Sequence, residues 1–294
     1  YDAGFSSALS AISGSLGTVI PPSITFIIYG MITGESIGDL FLSGIVPGLI
    51  FGFMLCIMVF IKSKKNGWKG ETQRASLKEI GRLFLDTIWG LLSPVIVLGG
   101  IYSGLFTPTE AAAVAVVYSL IVGIFIYKEL RLAELKETLF STAKTTGMIL
   151  LIIMNAGIFS WVLTQQGIAA SLTEMALALT DNKYIMLVII NIVFLCAGCV
   201  MDNTSALYIL VPIIMPIAKA LDINMIQLGV ILVLNLSIGQ VTPPVGPNLY
   251  VAADIGKVKF EEICRKMVPL LLMSLLALLC ITYIPALSLC LIPS

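Results

Sequence analysis

Two short stretches of the chain repeat each other, and they decide how the fold is interpreted. Ser15–Pro22 reads SLGTVIPP, and Ser237–Pro244 reads SIGQVTPP, 222 positions later. At the same offset, Val46-Pro47 corresponds to Val268-Pro269. Each Pro-Pro pair removes backbone donors and disrupts the preceding helical turn. The repeat therefore predicts two discontinuous helices, each followed by a short second helix, a loop and a further span.

The composition indicates a membrane protein. Of the 294 residues, 58% are hydrophobic and only 12% are charged, whereas a soluble domain carries about a quarter charged residues. The formal net charge is zero, which gives no reason to expect nucleic acid as a partner. There is no His, so a serine protease triad is excluded and the usual proton shuttle at neutral pH is missing. No cofactor is expected.

Long apolar segments predict an all-α, polytopic fold. We divide the chain into residues 1–61, the end of a first repeat, residues 62–144, amphipathic arms with scaffold spans, and residues 145–294, a second repeat. Within the second repeat, residues 225–253 form the broken helix. The apolar runs 184–201 and 206–218 are short, which predicts a re-entrant hairpin over residues 184–218.

The distribution of charge predicts the orientation of these segments. When Lys62–Arg82 is placed in the cytoplasm, nearly all Lys and Arg residues fall on the same side. The two copies of the repeat then run in opposite directions through the membrane. An inverted-topology repeat of this kind is typical of secondary transporters.

The helix breaks predict cation sites. Freed carbonyls cannot face lipid, so they must line protein or a cavity, and together with hydroxyls they suit Na⁺. The helix N-terminus after each break also favours an anion. The alternative is a pair of simple proline kinks. The candidate Na⁺ ligands are Gly17, Ile20, Pro21 and Ser23 in the first break and Gly239, Thr242, Pro243 and Gly246 in the second.

Three further polar features stand out in the sequence. Asp202-Asn203-Thr204-Ser205 lies between the two short apolar runs and predicts an ion or substrate contact at the hairpin tip, the alternative being an ordinary polar turn. Thr107–Glu110 is best explained as a helix cap. A stripe of small residues on one helix face is explained equally well by close packing and by a permeation path; it comprises Ser6, Ser10, Ser13 and Gly17.

These motifs resemble the large (M) membrane subunit of tripartite ATP-independent periplasmic (TRAP) transporters. The resemblance rests on Gly17–Ser23, Thr107–Ala113, Met201-Asp202, Ile209–Pro212 and Thr242–Gly246, in that order. It implies Na⁺-driven import of carboxylates, such as C4-dicarboxylates or sialic acid, across a bacterial inner membrane by an elevator mechanism. It implies a small (Q) membrane subunit and a periplasmic binding protein as partners, with membrane lipid around the spans.

The resemblance also implies a portion of the subunit that this chain does not match. The chain begins with Tyr1 in a small-residue helix pattern, so we expect an N-terminal portion with a first hairpin to be missing. Three alternatives remain. One is a stand-alone Na⁺/dicarboxylate symporter without a binding protein, and another is a purely structural membrane protein. More remotely, Tyr1-Asp2 and Pro285-Ala286-Leu287 resemble motifs of intramembrane aspartyl proteases, although Asp202 does not follow the G-x-G that precedes the second catalytic Asp of that class.

Overall fold

The computed structural model describes residues 1–68 and 76–292, and throughout these residues the chain is helical with connecting turns. The helices are α1 (Ala3–Leu16), α2 (Ile24–Thr33), α3 (Ile37–Asn66), α4 (Leu77–Tyr102), α5 (Pro108–Ile121) with a π-helical continuation (Val122–Ile126), α6 (Leu132–Gln165), α7 (Ile168–Leu179), α8 (Lys183–Val200), α9 (Asn203–Ala220), α10 (Met225–Gly239), α11 (Pro247–Gly256), α12 (Phe260–Tyr283) and α13 (Ala286–Leu289). Among these described residues, seven helices are long and apolar enough to cross a membrane: α3, α4, α5 with its continuation, α6, α8, α9 and α12. The all-α, polytopic class is confirmed.

The chain divides into two compact units. One unit combines the described parts of Tyr1–Trp68 and Met154–Ser294, and the other is the described part of Lys69–Ile153. Both copies of the repeat fold into the larger unit, and the division of the sequence into residues 1–61, 62–144 and 145–294 stays a prediction. The predicted membrane arms are not separate helices, since residues 77–82 begin α4 and residues 132–144 begin α6. Part of the first arm, residues 69–75, lies outside the described residues.

The smaller unit is held by local caps and hydroxyl contacts. Thr107 and Glu110 form the predicted cap of α5: the Thr107 side chain accepts from the Glu110 amide, and Glu110 accepts from the Thr107 amide at 2.8 Å. Tyr118 Oη donates to the carbonyl of Trp89 at 2.6 Å, which joins α5 to α4.

The repeat predicted from the sequence is present at the level of whole elements. The α1–α2–α3 series and the α10–α11–α12 series each consist of a helix, a break, a ten-residue helix and a long helix. The N-caps of the two first helices, Asp2 and Asn224, keep the same offset as the motifs. Pro47 and Pro269 occupy matching positions inside α3 and α12. The sequence repeat is therefore also a structural repeat.

The two copies of the repeat run in opposite directions. Tyr29 Oη on α2 donates to the carbonyl of Met225 at the start of α10 at 2.6 Å, whereas Thr18, before α2, contacts Ser237 near the end of α10. On the other side, Ser15 near the end of α1 accepts from Asn248 near the start of α11 at 3.1 Å. The first half of each broken helix thus packs against the second half of the other, antiparallel. An antiparallel pair of this kind is what an inverted-topology repeat predicts.

The hairpin consists of α8 and α9, joined at Met201 and Asp202. Each helix has 18 residues and is therefore about 27 Å long at a rise of 1.5 Å per residue. The second arm is longer than the apolar run 206–218 because Asp202 caps the helix and it begins at Asn203. Length alone therefore does not show that the hairpin is re-entrant.

The centre of the larger unit is α10. Every residue from Gln227 to Gly239 is buried, as expected for a helix that has no polar face. A helix that is apolar all round is stable only when protein or lipid surrounds it, and here α2, α3, α8, α9 and α12 contact it. The second break, at the end of α10, is thus held by the most enclosed element of the fold.

Candidate functional site

The first break lies between α1 and α2. The helix ends at Leu16, and the chain continues as turns through Pro22. Ser23 then caps α2: its hydroxyl accepts from the amide of Phe26 at 3.5 Å and donates to the carbonyl of Thr18. Ser23 is 3% exposed. Because its hydrogen is used towards Thr18, the oxygen has lone-pair capacity left for a cation.

Several carbonyls of the first break have no partner among the described residues. No hydrogen bond from residues 1–68 or 76–292 reaches the carbonyls of Gly17 or of Val19–Pro22. Ile20 is 39% exposed, so this part of the break is open at its surface. Gly17 is exposed as well. The first break therefore offers unpaired carbonyl oxygens, as the sequence predicts for a discontinuous helix.

The second break repeats this arrangement with one additional cap. Thr242 Oγ1 donates to the carbonyl of Ile238 at 2.8 Å, which closes the end of α10. Within the described parts of the chain, the carbonyls of Val241–Val245 accept no hydrogen bond. Gly246 has φ +39°, a left-handed conformation that a side chain disfavours, and its carbonyl accepts from Leu249 at 2.8 Å. Both Pro-Pro peptide bonds, in the first and the second break, are cis.

The two helix N-termini after the breaks differ in how many of their amides are already occupied. At α11, Pro247 has no N–H, and the amides of Asn248 and Leu249 donate to the carbonyls of Gln240 and Gly246. At α2, the amide of Phe26 is occupied by Ser23. At α2, no described residue accepts a hydrogen bond from the amides of Ile24 and Thr25, so this N-terminus keeps two N–H groups that could face an anion.

The hairpin tip is compact and partly self-satisfied. Asp202 caps α9: its carboxylate accepts from the Ser205 amide at 3.1 Å and from the Ser205 hydroxyl at 2.6 Å. Asp202 is exposed, Thr204 and Ser205 are half-buried, and Asn203 is buried. The polar-turn alternative thus explains part of the role of Asp202 and Ser205. Asn203 is not part of this cap, and its side chain contacts the second break.

Asn203 joins the hairpin tip to the second break. Its Oδ1 accepts from Gln240 Nε2 at 2.8 Å. The backbones approach closely at the same place, since a Cβ built on Gly239 would lie 2.7 Å from the Cα of Gly198 on α8. The structure therefore brings two predicted groups of site residues together, the hairpin tip and the second break.

A chain of side-chain amides extends this contact to α1. Asn248 Nδ2 lies 3.1 Å from Gln240 Oε1 and 3.1 Å from Ser15 Oγ, so Asn203, Gln240, Asn248 and Ser15 form a continuous polar path. Gln240, Asn248 and Ser15 were not predicted as site residues. Gln240 could have been predicted from the sequence, because it is a polar amide inside the repeated motif, at the position where the first copy has Thr18.

A cation site built here would consist of neutral oxygens. No group of three His, Cys, Asp or Glu residues lies close enough to hold a metal in the described part of the chain. Carbonyl and hydroxyl oxygens are hard ligands that suit cations of the alkali and alkaline-earth groups rather than transition metals. Cys196 and Cys199, in the last two turns before the tip, form no disulfide, and Cys199 Sγ donates to the carbonyl of Leu195 at 3.1 Å.

Comparisons with known proteins agree with the motifs. Residues 1–287 match the family described as "Tripartite ATP-independent periplasmic transporter, DctM component". The isethionate TRAP transporter permease protein DctMQ of Oleidesulfovibrio alaskensis is 41% identical over 96% of this chain and 44% of its own length. The C4-dicarboxylate TRAP transporter large permease protein DctM of Pseudomonas aeruginosa is 42% identical over 99% of this chain and 68% of its own length.

A third relative has a different named substrate. The sialic acid TRAP transporter large permease protein SiaM of Vibrio cholerae is 36% identical over 98% of this chain and 67% of its own length. The chain thus spans from less than half to about two thirds of the length of these relatives. All three are transporter permeases and not enzymes, so the protease alternative is rejected.

The family match extends over both copies of the repeat and over the hairpin, the elements that form the site. Together with the seven apolar helices, it makes the chain a multi-pass protein of the bacterial inner membrane. The chain belongs to the family of the DctM component, the large membrane subunit of tripartite ATP-independent periplasmic transporters.

Proposed function

We propose that this chain forms the ion- and substrate-carrying core of a Na⁺-coupled importer of organic acids. The observation that carries the proposal is the pair of antiparallel helix breaks, each with unpaired carbonyls, of which the second meets the hairpin tip through Asn203 and Gln240. Unpaired backbone at a membrane helix break is tolerated where it lines a site. If the Pro-Pro pairs were only kinks, there would be no reason for the hairpin tip to contact the second break.

The coupling ion is proposed to be Na⁺. In the first break the ligands are drawn from Gly17, Ile20, Pro21 and Ser23, and in the second from Gly239, Thr242, Pro243 and Gly246. The Thr242 and Ser23 hydroxyls each donate to a carbonyl, which leaves their oxygens oriented as acceptors for a cation. Neutral oxygen ligands stabilise Na⁺ without the desolvation cost of a second buried charge.

The substrate is proposed to be an organic acid anion at the hairpin tip. The relatives are named for isethionate, C4-dicarboxylate and sialic acid, which are all organic anions. The groups available are the amide of Asn203, the hydroxyls of Thr204 and Ser205, and a cation bound in the adjacent break. A bound Na⁺ would offset the substrate charge beside Asp202, which links the two binding events.

The hairpin is proposed to be re-entrant. The C-terminal end of α8 meets Gly239, the point at which α10 stops and the second break begins. If α10 and α11 together make one crossing, a hairpin whose tip stops at their break does not cross the membrane. A broken-helix and hairpin unit of this kind is suited to moving as a body, which is the elevator mechanism.

The partners are proposed to be a small (Q) membrane subunit, a periplasmic binding protein and the remainder of the same subunit. This proposal rests on the tripartite family, because the chain covers only part of its relatives. The alternative of a stand-alone symporter shares the repeat and the hairpin. A stand-alone symporter differs from the proposed importer because it needs no binding protein.

Reconstitution tests both ideas. The intact complex, with the full-length subunit, is placed in proteoliposomes, and uptake of C4-dicarboxylate, sialic acid and isethionate is measured with and without an inward Na⁺ gradient. We expect uptake of at least one of these anions that requires both the gradient and its binding protein. Uptake that needs no gradient would contradict Na⁺ coupling, and gradient-driven uptake without a binding protein would favour the stand-alone symporter.

A further inference from the structure

A pair of hydroxyls joins the two copies of the repeat beside their breaks. Thr18, in the first break, contacts Ser237 of α10 through Oγ1, and Ser237 is 0% exposed. At the repeat offset of 222, Ser237 corresponds to Ser15, and Thr18 corresponds to Gln240. Gln240 reaches Ser15 through Asn248, whose Nδ2 lies 3.1 Å from Gln240 Oε1 and 3.1 Å from Ser15 Oγ. Equivalent positions of the two motifs therefore connect to the equivalent serine of the other copy.

This pair of hydroxyls has more contacts than hydrogens. Thr18 Oγ1 lies 2.8 Å from the carbonyl oxygen of Ser15, and Ser237 Oγ lies 2.7 Å from the carbonyl oxygen of Val233. Because each hydroxyl has one hydrogen, the pair satisfies only two of three contacts, namely these two and the one between the hydroxyls. Thr18 therefore donates either to Ser15 or to Ser237, and the backbone stays the same in both arrangements. The Ser15 carbonyl accepts from the Thr18 amide at 3.2 Å in either case.

Thr18 also lies among the proposed ligands of the first break. It is between Gly17 and Ile20, whose carbonyls accept no hydrogen bond from the described residues, and its own carbonyl accepts from Ser23 Oγ. A cation bound to these carbonyls would hold the backbone on both sides of Thr18, because each peptide unit is planar and rigid. Occupancy of the first break therefore acts on the side chain that donates to one copy of the repeat or to the other.

The two alternative acceptors lead to different parts of the second site. Ser15 Oγ accepts from Asn248, and the polar path continues through Gln240 to Asn203 at the hairpin tip. Ser237 lies two residues before the end of α10, where the second break begins. The hydroxyl pair is therefore connected to the hairpin tip through Ser15 and to the second break through Ser237.

We propose that Thr18 is a positioning residue that couples the two cation sites, so that a cation in one break raises the affinity of the other break for its cation. The inference rests on the proposed Na⁺ coupling and assigns the connection between the two sites. The first cation fixes Thr18 in one arrangement, and the second cation no longer has this ordering cost, which makes the coupling positive. Because coupling is reciprocal, a cation in the second break strengthens binding in the first by the same factor.

The Na⁺ dependence of anion uptake by the reconstituted full-length complex tests this role. Thr18→Val removes the hydroxyl and keeps the branched shape, whereas Thr18→Ser keeps the hydroxyl. Because two independent required sites already give a sigmoidal curve, we expect a lower Hill coefficient in Thr18→Val than in wild type and Thr18→Ser, with about a twofold or larger rise in the half-maximal Na⁺ concentration. A variant that is merely less stable would lower the maximal rate without changing the Hill coefficient.

Ser237→Ala removes the other member of the pair and provides a second test. It should lower the Hill coefficient by a similar amount, and the double variant with Thr18→Val should be no worse than either single variant, because all three lose the same contact. Effects that add in the double variant would overturn the proposal. Thr87→Val is the matched control and should match wild type, since the Thr87 hydroxyl donates to the carbonyl of Leu83 in its own helix at 2.8 Å.

The outcomes separate this inference from the proposed function. Wild-type uptake that does not depend on Na⁺ would overturn both. Na⁺-dependent uptake in which Thr18→Val and Ser237→Ala keep the wild-type Hill coefficient would overturn the inference and leave Na⁺ coupling in place. A Hill coefficient that falls equally in Thr87→Val would also overturn the inference, because the effect would then not depend on the contact between the two copies.

Discussion

At the scale of single residues, Gln240 connects more of the site than any predicted ligand does. Its amide donates to Asn203 at the hairpin tip and accepts from Asn248 in α11. Hydrogen bonds between membrane helices contribute about 0.6 kcal/mol on average, and more when a buried partner would be left unpaired. Gln240 therefore acts as a positioning residue that holds the tip against the break.

Gln240→Met keeps the length of the side chain and removes both hydrogen bonds. We expect it to lower the unfolding free energy of the full-length complex by about 1–2 kcal/mol, since two contacts are lost and Asn203 remains buried. Thermal unfolding in detergent measures this change. Gln166→Met, at an exposed glutamine, is the control and should have little effect. Equal melting for the two variants would contradict a role for Gln240 in holding the tip.

The residues of the site were predictable to different degrees. The break residues follow from a local rule, because Pro-Pro interrupts a helix wherever it occurs, and the structure has turns at both places. Asn248 and Ser15 were not predictable, because they meet through packing between residues more than 200 positions apart. Asp202 was identified as polar and central, but its cap with Ser205 depends on where α9 begins.

At the scale of elements, the contact between α8 and α10 determines the position of the hairpin. Gly198 and Gly239 meet backbone to backbone, and a Cβ on Gly239 would lie 3.0 Å from the carbonyl oxygen of Leu195. Backbone atoms cannot move aside as a flexible side chain can. The hairpin is therefore seated by two glycines, one on each helix.

Gly239→Ala should separate α8 from α10. We expect a loss of about 1–3 kcal/mol in unfolding free energy, typical of overpacking at a rigid contact. Gly147→Ala in α6 is the matched control, because nothing in the described structure lies within 4 Å of its added Cβ. That control should be neutral or stabilising by up to about 1 kcal/mol, since alanine favours helix. A Gly239→Ala protein as stable as Gly147→Ala would contradict the close contact.

The boundaries of elements were less predictable than their existence. The sequence divided the polar arms from the following spans, but α4 and α6 run through both, because no proline separates them and a single glycine inside a helix is tolerated. The helix α7 was not predicted. Its 12 residues are too few for a span, and its start depends on the left-handed conformation of Gly167.

At the scale of the whole molecule, the antiparallel arrangement of the two copies is the feature on which the site depends. It places the end of α1 near the start of α11, and the start of α1 near the end of α11. A Cβ on Gly256 would lie 3.3 Å from the Cβ of Ser7, close to the separation found in disulfides. The arrangement can therefore be tested by cross-linking.

In a full-length subunit without other cysteines, Ser7→Cys with Gly256→Cys should form a disulfide under mild oxidation. Ser13→Cys with Gly256→Cys is the control, because Ser13 lies six residues, or about 9 Å, further along α1. Mobility shift after protease cleavage between the two positions detects the bond. A disulfide in the control pair but not in the test pair would contradict the antiparallel repeat.

The central claim is that the second helix break binds the coupling cation through Thr242. The most direct measurement is the Na⁺ concentration that gives half-maximal anion uptake by the reconstituted complex, compared for wild type, Thr242→Ala and Thr242→Ser. Losing one oxygen ligand should raise this concentration about tenfold or more in Thr242→Ala, equivalent to about 1.4 kcal/mol, while Thr242→Ser stays near wild type. The same Na⁺ dependence in all three proteins would contradict the claim and leave the Pro-Pro pairs as kinks.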